Sequence, residues 1–142
     1  MYLPIDNISV LEPVQTERPP LVILLTSGPD DRGKKAVLAY SAAVTSVSME
    51  VPTQIFLVGD GAHWAYEGNV AGIEHPGFPP LQELIETFSE FGGETYICST
   101  CAEVCAIPSD QEQVNRQRRS QVYPRGMASV LNDITRGSSV TF

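Results

Sequence analysis

A run of five consecutive aliphatic residues, Leu21–Leu25, constrains the fold of this chain more than any other segment. The run is far shorter than the roughly 20 apolar residues that a membrane-spanning helix needs. A continuous apolar stretch of this length is typical of a strand that is buried on both faces of a parallel sheet. We therefore predict a first strand over residues 21–26, which the turn sequence Ser27-Gly28-Pro29-Asp30-Asp31 brings to an end.

Helical and strand patterns alternate along the rest of the chain. Apolar residues at spacings of three and four predict amphipathic helices, and runs rich in β-branched and aromatic residues predict strands. The predicted order is a helix over 32–49, a strand over 53–58, a loop or short helix over 61–80, a helix over 81–91, a short strand over 95–97, a helix over 127–134 and a strand over 139–142. The polar residues 109–125 receive no assignment.

This alternation indicates the fold class. Because the connections between successive strands are too long for hairpins, the pattern predicts a mostly parallel sheet with helices on both faces, a three-layer α/β fold. A chain of 142 residues fits one such domain with a substantial core. Residues 1–20 contain four prolines, and we expect them to form an arm outside the sheet.

Charge and the N-terminal sequence restrict the partners and the location. The net charge of −8 argues against binding to nucleic acid or to anionic membranes. The one basic cluster, Arg116, Arg118 and Arg119, has no interleaved aromatic residues, so we expect a solvated face or a contact between subunits. The first residues show neither a basic segment nor an apolar one, so we expect no secretory signal and a cytoplasmic protein.

The cysteines carry the distinctive chemistry. Cys98, Cys101 and Cys105 fall within eight residues, whereas a secreted disulfide framework spreads an even number along the chain. Clustered thiols in a reducing compartment indicate redox, sulfur-transfer or metal chemistry. The alternative is that the cysteines are small buried hydrophobic residues.

The position of the cysteine segment favours reactivity. It follows a predicted strand, and catalytic groups of parallel α/β sheets gather at the carboxyl ends of strands. If residues 98–105 are helical, their spacing puts the three sulfur atoms on one helical face. Cys98 then lies at the helix N-terminus, where a thiolate is favoured, and is the expected nucleophile. Cys101 is placed to resolve a persulfide or to form a disulfide, and Cys105 is a second resolving thiol or a buried spectator.

Two other groups of residues are candidate sites. His63 and His75 could join Cys98 and Cys101 as zinc ligands, but the spacing matches no common zinc module, so we predict no metal. The turn over residues 27–35 precedes a helix, but it lacks the spacing of a P-loop. We expect an Asp-capped helix start there rather than a phosphate site, and we predict no cofactor.

Four stretches give the chain a wider resemblance: residues 21–28 with the following Ala-rich helix, residues 56–61, Tyr96-Ile97-Cys98 with its helix, and residues 137–142. With them the sequence resembles the DsrE/DsrF-like family of TusD-like sulfur carriers and sulfurtransferases, over residues 21–142. The resemblance implies a five-stranded parallel sheet and assembly into trimers or hexamers. It also implies a reactive cysteine after the fourth strand that carries sulfur as a persulfide. Cys98 matches that position, and Cys101 matches a second cysteine found in some branches.

We therefore predict a small cytoplasmic sulfurtransferase or sulfur carrier. Its partners would be sulfur-donor and sulfur-acceptor carrier proteins that dock at an exposed cysteine loop, and copies of itself in a homo-oligomer. One alternative is a thiol-disulfide or peroxide-reactive protein that uses the same cysteines. Another is a non-catalytic oligomeric binding module. The polar insert over residues 109–123 departs from the family pattern, and its role is left open.

Overall fold

The computed structural model describes residues 18–103 and 117–142. Five strands and four α-helices lie in these two ranges, and two 3-10 helices follow the first two strands. The elements are β1 (Leu21–Leu25), a 3-10 helix (Pro29–Asp31), α1 (Lys34–Ser48), β2 (Thr53–Leu57), a 3-10 helix (Gly59–Ala65), α2 (Leu81–Glu90), β3 (Glu94–Cys98), α3 (Ser99–Glu103), β4 (Val122–Arg125), α4 (Met127–Arg136) and β5 (Ser138–Thr141).

The five strands form one parallel sheet in the order β4-β3-β2-β1-β5. The predicted α/β fold with a parallel five-stranded sheet is confirmed. Strand β2 lies at the centre and all five of its residues are buried, as a strand covered on both faces requires. None of the helices in the described ranges is long and apolar enough to cross a membrane.

The helices divide between the two faces according to the direction of the chain. From β1 to β3 the chain moves one way across the sheet, and from β4 it returns to β5 on the far side of β1. Right-handed crossovers therefore put α1 and α2 on one face and α4 on the opposite face. Side-chain contacts agree, since Thr53 bonds to Ser46 of α1 whereas its neighbour Gln54 bonds to Asp133 of α4.

The first two strands are joined closely at their carboxyl ends. A Cβ atom at Gly61 would lie 1.8 Å from the carbonyl oxygen of Leu25, so only glycine allows this approach. The N–H of Val58 donates to the same carbonyl oxygen over 3.1 Å. The backbone after β2 is thus held against the end of β1. This contact lies at the carboxyl end of the sheet, where the cysteine segment begins.

Strand β4 is the main difference from the sequence prediction. Its residues 122–125 belong to the polar stretch 109–125, for which the sequence pattern predicts no element. The strand lies at the edge of the sheet, where a proline can be accommodated because the missing N–H can face outward. The predicted arm over residues 1–20 lies almost wholly outside the described residues, as do Cys105 and most of the insert over 109–123.

Candidate functional site

The cysteine segment lies at the carboxyl end of the sheet, as predicted. Strand β3 ends at Cys98 and helix α3 begins at the next residue, so Cys98 directly precedes the helix. Cys101 lies within α3, and both thiols are free. The resemblance implied a position after the fourth strand, whereas Cys98 ends the third strand of the described residues and β4 follows it. Cys105 lies outside the described residues.

Both thiols are covered rather than open to solvent. Cys98 and Cys101 are each 6% exposed, whereas Ser99 and Thr100 between them are exposed. The prediction of an exposed cysteine loop is therefore wrong for the two cysteine side chains. The physical reason is that β3 is an internal strand and that α3 packs against β4 and the 3-10 helix Gly59–Ala65.

Cys101 has a specific polar partner. The backbone N–H of Gly59 donates a hydrogen bond to its Sγ over 3.3 Å. Gly59 has φ +62°, in the left-handed region that favours glycine, and it opens the 3-10 helix after β2. A backbone N–H aimed at a sulfur atom stabilises negative charge on it. No prediction from the sequence included Gly59, although the turn Gly59-Asp60-Gly61 directly after a predicted strand is a signal for it.

A polar network lies beside the cysteine segment on the α4 face of the sheet. Arg125 aligns with Cys98 across the β3–β4 pair, and its guanidinium lies 5.0 Å from the ring centre of Tyr96. Arg125 also pairs with Asp133 of α4 at 2.7 Å and hydrogen-bonds to Gln54. The sequence does not predict this network, because its members are distant in sequence and no local pattern joins them.

Two titratable groups at this network have shifted pKa values. The hydrogen bond from Arg125, with others from Gln54 and Arg136, lowers the pKa of Asp133 to about 2 against the opposing effect of burial. Burial, followed by the negative charge of Glu94, raises the pKa of the Tyr96 phenol. Asp133 is therefore ionised at neutral pH, and it fixes α4 to the sheet through two partners, Gln54 of β2 and Arg125 of β4, while Arg136 of α4 binds its other oxygen.

The two histidines line a different part of the molecule. His63 and His75 border a groove of about 480 Å³ together with Arg32 and Trp64. His75 Nε2 donates to the carbonyl oxygen of Arg32 over 2.9 Å, and the ring of His63 packs edge-on against Trp64. Within residues 18–103 and 117–142, no three His, Cys, Asp or Glu side chains are grouped to hold a metal ion. The zinc alternative, which needed both histidines and both cysteines, has no such arrangement there.

Backbone N–H groups at the start of α1 are hydrogen-bonded to an aspartate of the preceding turn. Asp31 accepts hydrogen bonds from the backbone N–H groups of Gly33 and Lys35, each at 3.0 Å. These N–H groups are the ones that would otherwise bind an anion at the helix start. An aspartate of the turn thus satisfies these N–H groups, as predicted, but it does so from two residues before the N-cap, which is Gly33.

Two of the three arginines of the basic cluster, Arg118 and Arg119, lie in the described residues, and both contact distant segments of the chain. Arg119 donates from Nε to the carbonyl oxygen of Trp64 over 2.8 Å and from Nη2 to the hydroxyl of Tyr40 over 3.1 Å. Arg118 forms an isolated antiparallel bridge with Tyr66. Arg116 lies outside the described residues. The expected solvated face or subunit contact does not describe Arg119, which bonds to the interior.

Comparisons with known proteins agree with this fold. The model of the DsrE/DsrF-like family matches residues 20–140. An uncharacterised protein of Methanocaldococcus jannaschii, MJ0760, is 32% identical over 87 residues, which are 61% of this chain and 31% of that protein. The chain thus spans about a third of the length of that curated relative.

Two solved structures share the architecture. The ychN protein of Escherichia coli superposes with a TM-score of 0.63 at 15% identity, over 89% of this chain and 100% of that one. A conserved protein of unknown function from Bacteroides thetaiotaomicron, BT1422, superposes with a TM-score of 0.55 at 16% identity, over 87% of this chain and 95% of that one. At these identities the likeness concerns the fold alone.

Proposed function

The chain belongs to the DsrE/DsrF-like family, and from this premise we propose that it is a sulfurtransferase or sulfur carrier that holds sulfane sulfur as a persulfide on Cys98. Membership suggests a role of the sulfur-relay type. The assignment of Cys98 is our proposal, and it depends on the position of that residue between β3 and α3.

The reaction needs only sulfur nucleophiles. The Cys98 thiolate attacks the terminal sulfur of a donor persulfide, R–S–SH, and a new S–S bond forms as the donor S–S bond breaks. The donor leaves as the thiolate R–S⁻, and Cys98 carries –S–SH. An acceptor thiolate then attacks the same terminal sulfur, takes it as its own persulfide, and returns Cys98 to the thiolate. No metal or diffusible cofactor takes part in these steps.

Cys101 has a second role in the proposal. Its thiolate attacks the Cys98 sulfur that is bound to the protein, which forms a Cys98–Cys101 disulfide and expels the terminal sulfur as HS⁻. The single observation that carries the proposal is the Cys98-Ser99-Thr100-Cys101 motif at the carboxyl end of β3, with the Gly59 N–H directed at the Cys101 sulfur. That N–H holds the Cys101 sulfur in position within the motif.

The burial of the two cysteine side chains determines which kind of partner we expect. Because both cysteines are 6% exposed, the donor must meet Cys98 when α3 shifts or must itself move this short helix. We propose protein donors and acceptors of sulfur, which contact the exposed Ser99 and Thr100. Free thiols persist in a reducing compartment, so we assign the reaction to the cytoplasm.

Intact-mass measurement after incubation with glutathione persulfide tests the proposal. The wild-type protein should first gain the mass of one sulfur atom and then lose it as the Cys98–Cys101 disulfide forms, and dithiothreitol should return the protein to its starting mass. A variant that keeps only Cys98, with Cys101→Ser and Cys105→Ser, should load and retain sulfur. Cys98→Ser should not load. If Cys98→Ser takes up as much sulfur as the wild type, the proposed role of Cys98 is wrong.

A thiol-disulfide or peroxide-reactive function is the second candidate, and the Cys-x-x-Cys spacing favours it as well. The same mass measurement separates the two functions. Hydrogen peroxide should oxidise Cys98 and Cys101 to a disulfide and lower the mass by two hydrogen atoms in either case. Only a sulfur carrier gains and transfers the sulfur atom of a persulfide. Failure of both reactions, with thiols that resist alkylation in the folded protein, would favour the non-catalytic binding module.

A further inference from the structure

A cavity of about 460 Å³ lies on the α1–α2 face of the sheet, apart from the cysteine segment. It is bounded by α2, by the loop after the 3-10 helix Gly59–Ala65 and by residues 119–121, and Thr95 of β3 contributes to its lining. Its size is within the range of small-molecule sites. Thr95 and Cys98 are separated by about 10 Å along β3, and strand alternation directs them to opposite faces of the sheet.

The cavity contains a cation that has no carboxylate partner among residues 18–103 and 117–142. Arg119 lines it and is partly buried, and no carboxylate of the described residues lies within ion-pair distance of its guanidinium. Two of the five N–H groups of an arginine side chain are used by the bonds to Trp64 and Tyr40, which leaves three for another acceptor. A partly buried charge without a partner is costly, and a bound anion would remove that cost.

The position of Arg119 is also well defined. Its partner Tyr40 is fully buried, and the Tyr40 hydroxyl lies 3.2 Å from the hydroxyl of Thr95. The guanidinium is thus held in place by two bonds to the interior before any ligand arrives. Such preorganisation lowers the cost of binding.

The remaining walls carry opposite charge and apolar surface. Glu67 and Glu86 line the same cavity, and both are exposed. Val70 and Ile85 supply apolar lining. A simple anion would be repelled by the two glutamates, whereas a ligand with a carboxylate and an ammonium group satisfies Arg119 and a glutamate together.

We propose that this cavity is a binding site for an amino-acid-like zwitterion, either a free amino acid or a short peptide, with an aliphatic side chain. The ligand carboxylate binds Arg119, the ammonium group binds Glu67 or Glu86, and the side chain contacts Val70 and Ile85. This binding is independent of the proposed sulfur chemistry.

Amide chemical shifts of the ¹⁵N-labelled full chain test the proposal with defined probes. L-leucine should shift the signals of Val70, Thr95 and Ser120. Leucinamide, which lacks the carboxylate, and N-acetyl-leucine, which lacks the ammonium group, should each bind about tenfold more weakly, as the loss of one charged contact predicts. Leucyl-leucine distinguishes the two sources of ligand, since tighter binding of the dipeptide indicates a peptide and tighter binding of leucine indicates a free amino acid.

Protein variants test the same contacts without disturbing Arg119, whose removal would also affect folding. Double substitution of Glu67→Gln and Glu86→Gln should weaken L-leucine severalfold and leave N-acetyl-leucine unchanged. Glu83→Gln is the matched control, because Glu83 is an exposed carboxylate on α2 outside the cavity lining. Absence of shifts at the cavity with every probe, or equal binding of leucinamide and leucine, would overturn the proposal.

Discussion

The backbone N–H of Gly59 points at the sulfur of Cys101, with 3.3 Å between the nitrogen and Sγ. The two residues are 42 positions apart and belong to segments that follow neighbouring strands, β2 and β3. This contact gives Cys101 a polar partner, whereas no hydrogen bond joins the Cys98 sulfur to any described residue. The two cysteines of the motif are therefore chemically different.

Serine and alanine substitutions should reveal that difference. At position 101 we expect serine to be more stable than alanine by about 1 kcal/mol, because its hydroxyl can accept from Gly59 and alanine leaves that N–H without an acceptor. At position 98 we expect the opposite order, because a buried serine hydroxyl gains no described partner there. Urea unfolding of the four variants measures both differences. The same order at both positions would argue against the Gly59 contact.

Asp133→Asn should destabilise the fold. The substitution removes the negative charge that Arg125 and Arg136 share and weakens the attachment of α4 to the sheet. We expect a loss of about 1–3 kcal/mol in the free energy of unfolding. Asp30→Asn is the control, since it makes the same chemical change at an exposed residue in the turn before α1, and it should cost much less. Equal losses in the two variants would contradict a stabilising role for the network.

Acid should remove the contribution of Asp133 in a defined range. Its pKa is lowered in the folded state, to about 2 from 3.8. The folded state therefore binds its proton less readily, so the stabilisation is complete above about pH 4 and is lost as the pH falls towards 2. The difference in unfolding free energy between wild type and Asp133→Asn should shrink over this range. A difference that stays constant from pH 6 to pH 2 would contradict the assignment.

Gly61→Ala should be among the most damaging small substitutions. The added Cβ would lie 1.8 Å from the carbonyl oxygen of Leu25, so the ends of β1 and β2 would have to separate. We expect a cost of about 3 kcal/mol. Gly126→Ala is the matched control, because its φ is −81° and no atom lies within 4 Å of the added Cβ. Thermal unfolding compares the two variants, and a similar melting temperature would show that the close approach is not required.

The proposed self-association can be tested on α4. Met127 and Leu131 are one helical turn apart and are 45% and 50% exposed, which makes this apolar pair a candidate contact between copies. Leu131→Glu should convert a trimer or hexamer to smaller species in light scattering. Met49→Glu, at an exposed apolar residue after α1, should leave the mass unchanged. A monomeric wild-type protein would contradict the proposed assembly.

The sequence patterns predicted most elements closely, because each pattern follows from what one segment must bury. Helix α2 and strand β2 agree within about one residue with the expected ranges, since apolar spacing and turn residues define both. The sequence does not predict strand β4, because an edge strand buries little apolar surface and because proline is disfavoured within strands, as at Pro124. The burial of Cys98 was also missed, because exposure depends on segments distant in sequence.

The sequence by itself determined the alternation of elements, the parallel sheet that follows from it, and the position of the cysteine motif at the end of a strand. Tertiary structure alone decided that Gly59 donates to Cys101, that Arg119 bonds to Trp64 and Tyr40, and that Arg125 meets Asp133. The physical reason is the separation in sequence between the groups that interact. A local pattern specifies which face of a segment is buried, whereas the partners of a polar group depend on which distant segments the order of strands brings beside it.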